Sequence, residues 1–355
     1  MRKAWQLCFC ADCFYHGIGA PLGGATRAKR RMTDLFHETP GNPVPENADG
    51  GFLYMRGKNV RYGRFAATAR PLKGTVVVLP GRNECIEKYF ETIRDLQDRG
   101  FGAVCLDWRG QGDSDRLIRD RQRGYVKSFN DYAADLDQLF GDVVLPDCRG
   151  PYYILAHSAG ALVALLAAAA LVNRVSRMVL IAPFLALPNQ PVSMTLLRRV
   201  TTFLCWIGLG RLYASGGARP TQTAPFATNK LTTDIARYKR NTLIFETYPH
   251  MAQGGPTLRW LNAATRAIAT VSAPEFMAAN RVPALIVAAG ADEVVSTRAV
   301  EWYARHLRLG SLVMIDGARH EILQETDFYR EQFFAAFDAF VPGSVERVVP
   351  ATPIP

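Results

Sequence analysis

An α/β fold, with a mostly parallel central sheet, helices on both of its faces and a helical insertion, is predicted by three features of this sequence. Six short runs are apolar on both faces, as buried parallel strands are. Segments of helical length separate most of them. One interval, from Pro183 to Pro283, spans about a hundred residues where the other strands stand closer together, and such an excess marks an inserted module.

Taken in order, the pattern begins at Gly51, where "FLYMRGKNVRYGRF" reads as a hairpin turning at Gly57. The expected strands are 75–80 (TVVVLP), 102–108 (GAVCLDW), 152–157 (YYILAH), 177–183 (RMVLIAP), 283–290 (PALIVAAG) and 311–316 (SLVMID). The expected helices are 85–99, 128–144, 159–172, 297–308 and 326–340. Inside the long interval, "MTLLRRVTTFLCWIG" and "DIARYKRNTLIFE" are helical and supply a cap. The implied domains are a first core part at 32–187, the cap at 188–275, a second core part at 276–342 and a tail at 343–355.

At 355 residues and 48% hydrophobic content, the chain can bury a sizeable core. Its longest apolar run, "ALVALLAAAALV" at 161–172, is shorter than the roughly 20 residues that cross a bilayer and reads as a buried helix. Seven irregularly spaced cysteines do not make a disulfide framework. A reducing, cytoplasmic location is therefore expected, with peripheral contact at the inner membrane face. Residues 1–31 look foreign to the rest: "MRK" opens like a signal peptide, but Asp12 interrupts the apolar stretch and no cleavage site follows. They read as a non-native or disordered extension, the working protein starting at Met32. Cys8, Cys10, Cys13 and His16 form an incidental cluster on this reading, because no second ligand pair accompanies them.

The net charge of +10 is unevenly placed. Residues 1–31 carry six basic residues against Asp12, and 188–275 carry ten against Asp234, Glu246 and Glu275. The remainder is close to neutral. A basic module on a neutral body suggests a surface of opposite sign, and no aromatic-interleaved basic ribbon or motif points to nucleic acid.

Chemistry is suggested by "YILAHSAGAL", where Ser158 stands between an expected strand and an expected helix. That is the context of the G-x-S-x-G nucleophile elbow, here with Ala156 in place of the first glycine. A serine hydroxyl needs a base, and the base needs an acid to hold its tautomer. His320, in "IDGARHEIL", follows the last expected strand, and Asp292, in "AAGADEVV", lies just past the strand before it. The order Ser158, Asp292, His320 is the one that accompanies this elbow. Glu293 and Asp316 compete with Asp292 for the acid's place, and His157 reads as packing. The expected donors to an oxyanion are the backbone N–H of Arg82, in "LPGRNE", and that of Ala159 at the start of the helix.

At these motifs the sequence resembles the α/β-hydrolases of the bacterial lysophospholipase and monoglyceride lipase type, over about residues 34–340. The resemblance rests on "LPGRNE", "DWRGQGDSD" (107–115), "FNDY" (129–132), "AHSAGA", "GGPTLRW" (254–260), "GADEVV" and "GARHEIL". It implies the α/β-hydrolase fold, with Ser158 as nucleophile, Asp292 as acid, His320 as base, oxyanion donors at Arg82 and Ala159, and a mobile cap over an acyl pocket. Pro80-Gly81 stands where monoglyceride lipases carry His-Gly, and this, with Ala156, tilts the reading toward lysophospholipases. "DWRGQGDSD" reads as architectural, Gly110 and Gly112 making the turn and Asp107 and Arg109 bracing it.

The expected protein is thus a serine hydrolase of single-chain lipid esters, most directly lysophospholipids, working without metal or organic cofactor. A monoacylglycerol lipase, a general carboxylesterase, a proline-releasing peptidase and a catalytically inert binder are the alternatives. The cap is expected to line an acyl groove with Leu196, Leu197, Phe203, Leu204 and Trp206, and to offer Arg198, Arg199, Arg237, Lys239 and Arg240 to an anionic lipid surface.

Overall fold

The computed structural model describes residues 35–188, 192–218 and 224–343. The expectations for residues 1–31, and for the tail past Gly343, lie outside the described residues. Eight strands form one sheet: β1 (Ala48–Met55), β2 (Lys58–Phe65), β3 (Gly74–Leu79), β4 (Phe101–Leu106), β5 (Tyr152–His157), β6 (Val175–Ile181), β7 (Ala284–Ala289) and β8 (Gly310–Ile315). Their order is β1-β2-β4-β3-β5-β6-β7-β8. The β1–β2 and β2–β4 pairs are antiparallel and the other five are parallel.

The hairpin turns at Arg56-Gly57, both with positive φ, and Met55 pairs with Lys58. That two-residue turn matches the right-handed twist of the strands it joins. Every residue of β3 and β7 is buried, which explains why both read as unbroken apolar runs. Two groups of helices cover the sheet. Phe129–Leu139, Ala159–Leu171 and Leu258–Val271 pack on one another. Phe90–Asp98 and Asp327–Phe340 are tied by Arg330–Asp95 and by Arg99–Asp338 at 3.1 Å. Helix Ala159–Leu171 is buried on nearly all sides, as its run of Ala, Leu and Val requires.

The chain leaves the sheet after β6 and returns at β7. Helices Met194–Trp206 and Ile235–Thr247 start at Ser193 and Asp234, whose side chains accept from the N–H groups of Leu196 and Arg237. Helix Leu258–Val271 instead buries Ala263, Ala264, Ile268 and Val271 in the main core. Helix Leu258–Val271 is therefore part of the body, and the earlier helices lie over it.

Two arginines fasten this layer to the core. Arg237 and Arg240 each reach Glu91 at 2.6 Å, and Arg237 also pairs with Asp327 at 2.6 Å. Burial would raise the Glu91 carboxyl, but the Arg237 hydrogen bonds and the charges of Arg330 and Arg240 hold it at about 2. A depressed carboxylate contributes stability above its ordinary range and loses it as pH falls through the folded value. Glu91→Gln will accordingly lower Tm at pH 7. The difference from wild type will shrink between about pH 4.5 and pH 2 in a pH series of thermal melts.

Candidate active site

Ser158 sits in the tight turn between β5 and helix Ala159–Leu171 with φ 52° and ψ −113°, a conformation that L-residues rarely adopt. Such a residue costs on the order of 1–3 kcal/mol and persists only where neighbours hold it. Here its N–H donates to the Ile181 carbonyl at 2.9 Å, and its own carbonyl accepts from Phe184 at 3.1 Å. The strand and helix come so close that a Cβ on Gly160 would stand 2.4 Å from the Leu79 carbonyl oxygen. Glycine is required two residues after Ser158, whereas Ala156 is accommodated two residues before it, buried in β5.

His320 and Asp292 approach from the ends of β8 and β7. His320 Nε2 lies 3.0 Å from Ser158 Oγ, and His320 Nδ1 lies 2.7 Å from Asp292 Oδ2. The other Asp292 oxygen accepts from the N–H groups of Val294 and Val295, at 2.7 and 2.9 Å. Burial would raise the Asp292 pKa, but the hydrogen bond and charge of His320, with the two amides, hold it below the ordinary value. The rivals stand elsewhere: Glu293 is exposed and pairs with Lys230 at 3.1 Å, and Asp316 is exposed.

Arg82 and Ala159 both border the cavity that opens at Ser158. Their loop is braced from three sides. The Arg82 guanidinium donates to the Gly254 carbonyl at 3.0 Å, the Asn83 side chain accepts from the Gln253 N–H at 2.8 Å, and the Asn83 N–H donates to Gln111. "DWRGQGDSD" supplies the last of these, through Gln111. Gly110 and Gly112 have positive φ, and Asp107 accepts from the N–H groups of Ile86 at 2.9 Å and Asp113 at 2.7 Å and from Arg61 Nε at 2.8 Å. Arg109 pairs with buried Asp135.

A buried charged network that sequence reading passed over lies beside His320. Glu84 accepts from Lys88 at 2.7 Å, from the Tyr89 hydroxyl at 2.6 Å and from the Gly81 N–H, and it meets His157 Nδ1 at 3.0 Å. Lys88 also reaches Glu321 at 2.5 Å, and His157 Nε2 faces the His320 carbonyl at 3.2 Å. Burial lowers the His157 pKa, yet the Glu84 charge and hydrogen bond outweigh it and raise it above the ordinary value. The signal was present as Glu84 and Lys88 at helical spacing, but only packing shows that their partners are His157 and Glu321.

The cavity, about 530 Å³, is lined on its apolar side by Phe184, Leu187, Leu197, Trp260, Leu261 and Val294. Of the five cap residues expected to face it, Leu197 does. Leu196, Phe203 and Trp206 are instead exposed on other sides of helix Met194–Trp206, and Leu204 is half-buried without lining the cavity. Arg237 and Arg240 are likewise withdrawn from any lipid-facing rim by their bonds to Glu91.

Comparisons with known proteins agree with the fold. A family model described as serine aminopeptidase, S33, matches residues 70–327. Lysophospholipase L2 of Escherichia coli strain K12 is 33% identical over 281 residues, covering 76% of this chain and 80% of the relative. Probable lysophospholipase L2 of Haemophilus influenzae is 28% identical over 293 residues, covering 81% and 91%. Among solved structures, a soluble variant of monoglyceride lipase from Saccharomyces cerevisiae aligns with a TM-score of 0.66 at 18% identity, over 86% of this chain and 97% of that one. The monoacylglycerol lipase of Paleococcus ferrophilus aligns with a TM-score of 0.63 at 20% identity, over 80% and 99%. This chain belongs to the serine aminopeptidase S33 family of α/β-hydrolases, in which its relatives include the lysophospholipases L2.

Proposed function

We propose that the protein hydrolyses the carboxylic ester of a single-chain lipid, a lysophospholipid in the first place, through an acyl-enzyme on Ser158. The observation that carries this reading is the 3.0 Å and 2.7 Å alignment of Ser158, His320 and Asp292 at the mouth of a largely apolar cavity. In this mechanism Ser158 Oγ attacks the ester carbonyl while His320 Nε2 takes its proton. Asp292 holds the Nδ1–H tautomer and stabilises the imidazolium. The N–H groups of Arg82 and Ala159 receive the oxyanion. His320 then returns the proton to the departing glycerol oxygen, and water, activated by the same base, releases the fatty acid.

An aminopeptidase would need a free carboxylate to hold the substrate's amino terminus. Glu84 and Glu321 border the cavity, but both are already paired with Lys88, and Glu84 also with His157. Among the described residues lining the cavity no other carboxylate exists. Ester hydrolysis is therefore the better fit.

A second reading, peripheral contact with an anionic lipid surface, is favoured by the outer face of the cap. Leu196, Val200, Phe203 and Ile207 follow helical spacing and are all exposed, and Trp206 is 80% exposed. Beside them a groove of about 750 Å³ is lined by Arg198, Arg199, Arg266, Phe203 and Trp206. Apolar side chains that enter the interface, next to arginines each worth about 1 kcal/mol near anionic lipid, suit a protein that collects its substrate from a membrane. No helix among the described residues is long and apolar enough to cross one.

The test is a substrate panel of lysophosphatidylcholine, lysophosphatidylethanolamine, monoacylglycerol and a proline arylamide. The lysophospholipids will be turned over fastest, and preferential release of the arylamine would reject the ester reading. Salt raised to about 0.5 M will slow hydrolysis of lysophospholipid in anionic vesicles far more than that of a soluble nitrophenyl ester. Arg198→Glu with Arg199→Glu will reproduce that loss. Equal salt sensitivity for the two substrates would reduce the groove to surface solvation.

A further inference from the structure

Three side chains from distant parts of the chain converge where the cap meets the core. His37 precedes β1, Asp113 lies on the loop after β4, and His250 belongs to the turn Pro249–Met251 that follows helix Ile235–Thr247. His37 Nε2 is 3.6 Å from Asp113 Oδ2, and His250 Nε2 is 3.3 Å from Asp113 Oδ1. One nitrogen or oxygen from each residue lies within 4.8 Å of the other two. Neighbouring ligand atoms of a tetrahedral zinc ion, with bonds of about 2.0–2.1 Å, stand roughly 3.4 Å apart. Both measured pairs are close to that spacing.

The surroundings hold the three residues in place. The His37 N–H donates to Glu87 at 3.2 Å, and its ring lies against Tyr248, centroid to centroid 4.5 Å. Tyr248 in turn donates to the Glu38 carbonyl at 3.1 Å. The Asp113 N–H is held by Asp107, and Arg116 donates to the His250 carbonyl at 2.7 Å. Within this frame His37 Nε2 is buried and makes no hydrogen bond among the described residues, although it points at a carboxylate. A buried polar atom left in that state is costly, and a cation between the two groups would satisfy it.

We propose that His37, Asp113 and His250 form a transition-metal site of the zinc class, which staples the cap to the core. Two imidazoles and one carboxylate suit Zn²⁺, whereas Ca²⁺ and Mg²⁺ prefer all-oxygen, carboxylate-rich coordination. The His250 side chain is 43% exposed, which leaves room for water as the fourth ligand. None of the three residues lines the cavity at Ser158, so the site holds structure and takes no part in ester cleavage.

The test uses the full chain, stripped of metal by a chelator and then titrated with Zn²⁺, with Tm read in parallel. Wild type will bind one equivalent more than His37→Ala/His250→Ala and will gain Tm on binding, while the double variant will not. Asp113→Asn, nearly isosteric, will weaken the same equivalent and covers the case in which the double variant folds poorly. Co²⁺ at this site will show ligand-field bands without thiolate charge transfer. Equal Zn²⁺ stoichiometry in wild type and both variants would overturn the inference. So would a cobalt spectrum of thiolate ligation alone, which would place the metal on cysteines such as Cys8, Cys10 and Cys13.

Discussion

Ser158→Ala will abolish covalent labelling by a fluorophosphonate and lower kcat by on the order of 10⁵- to 10⁶-fold, with no loss of fold. The magnitude follows from the role proposed for the hydroxyl: without it His320 has no nucleophile to activate, and only the oxyanion donors and substrate binding remain. The fold will survive because helix Ala159–Leu171 and β5 are held by burial on nearly all sides, and the change removes a single oxygen. Release of the strained conformation at Ser158 is not expected, since its N–H and carbonyl stay bonded to Ile181 and Phe184. Labelling that persists in the variant, measured by gel fluorescence, would assign the nucleophile elsewhere.

Asp292→Asn will reduce turnover by about 10⁴-fold, as the corresponding change does in the triad of a serine protease. The reason lies in the two amides behind the carboxylate. Val294 and Val295 donate to Oδ1, so an asparagine there must turn its oxygen toward them and its NH₂ toward His320. Facing a donor, His320 Nδ1 must become an acceptor, which moves its proton to Nε2 and leaves no base for Ser158. Glu293→Gln and Asp316→Asn, both at exposed positions, will change turnover little. Single-turnover kinetics of the four proteins will separate these outcomes, and an Asp316→Asn as damaging as Asp292→Asn would reassign the acid.

Strands β3 to β8 were legible because each is a short, mostly apolar run bounded by turn residues, a pattern that a place inside a parallel sheet imposes locally. The positions of Ser158, Asp292 and His320 were legible for a related reason. In a parallel sheet the carboxyl ends of the strands share one edge, so residues that follow successive strands are brought together by topology alone. Gly160 was legible too, and its cause is visible in the 2.4 Å that a Cβ would leave to the Leu79 carbonyl oxygen.

Other features depend on which surfaces of finished elements meet. Helix Met194–Trp206 is apolar around much of its circumference, so no local period tells whether Leu197 or Phe203 looks inward. Its seat against helix Leu258–Val271 decides that, turning Leu197 to the cavity and Phe203 to solvent. Arg237 and Arg240 read as surface charge until Glu91, on a helix nearly 150 residues earlier in the chain, proves to be their partner. The Glu84–His157 contact and the meeting of His37, Asp113 and His250 belong to the same class. Hydrogen bonds and ion pairs act over about 3 Å in space and carry no memory of separation along the chain, so these partners were settled only when the elements packed.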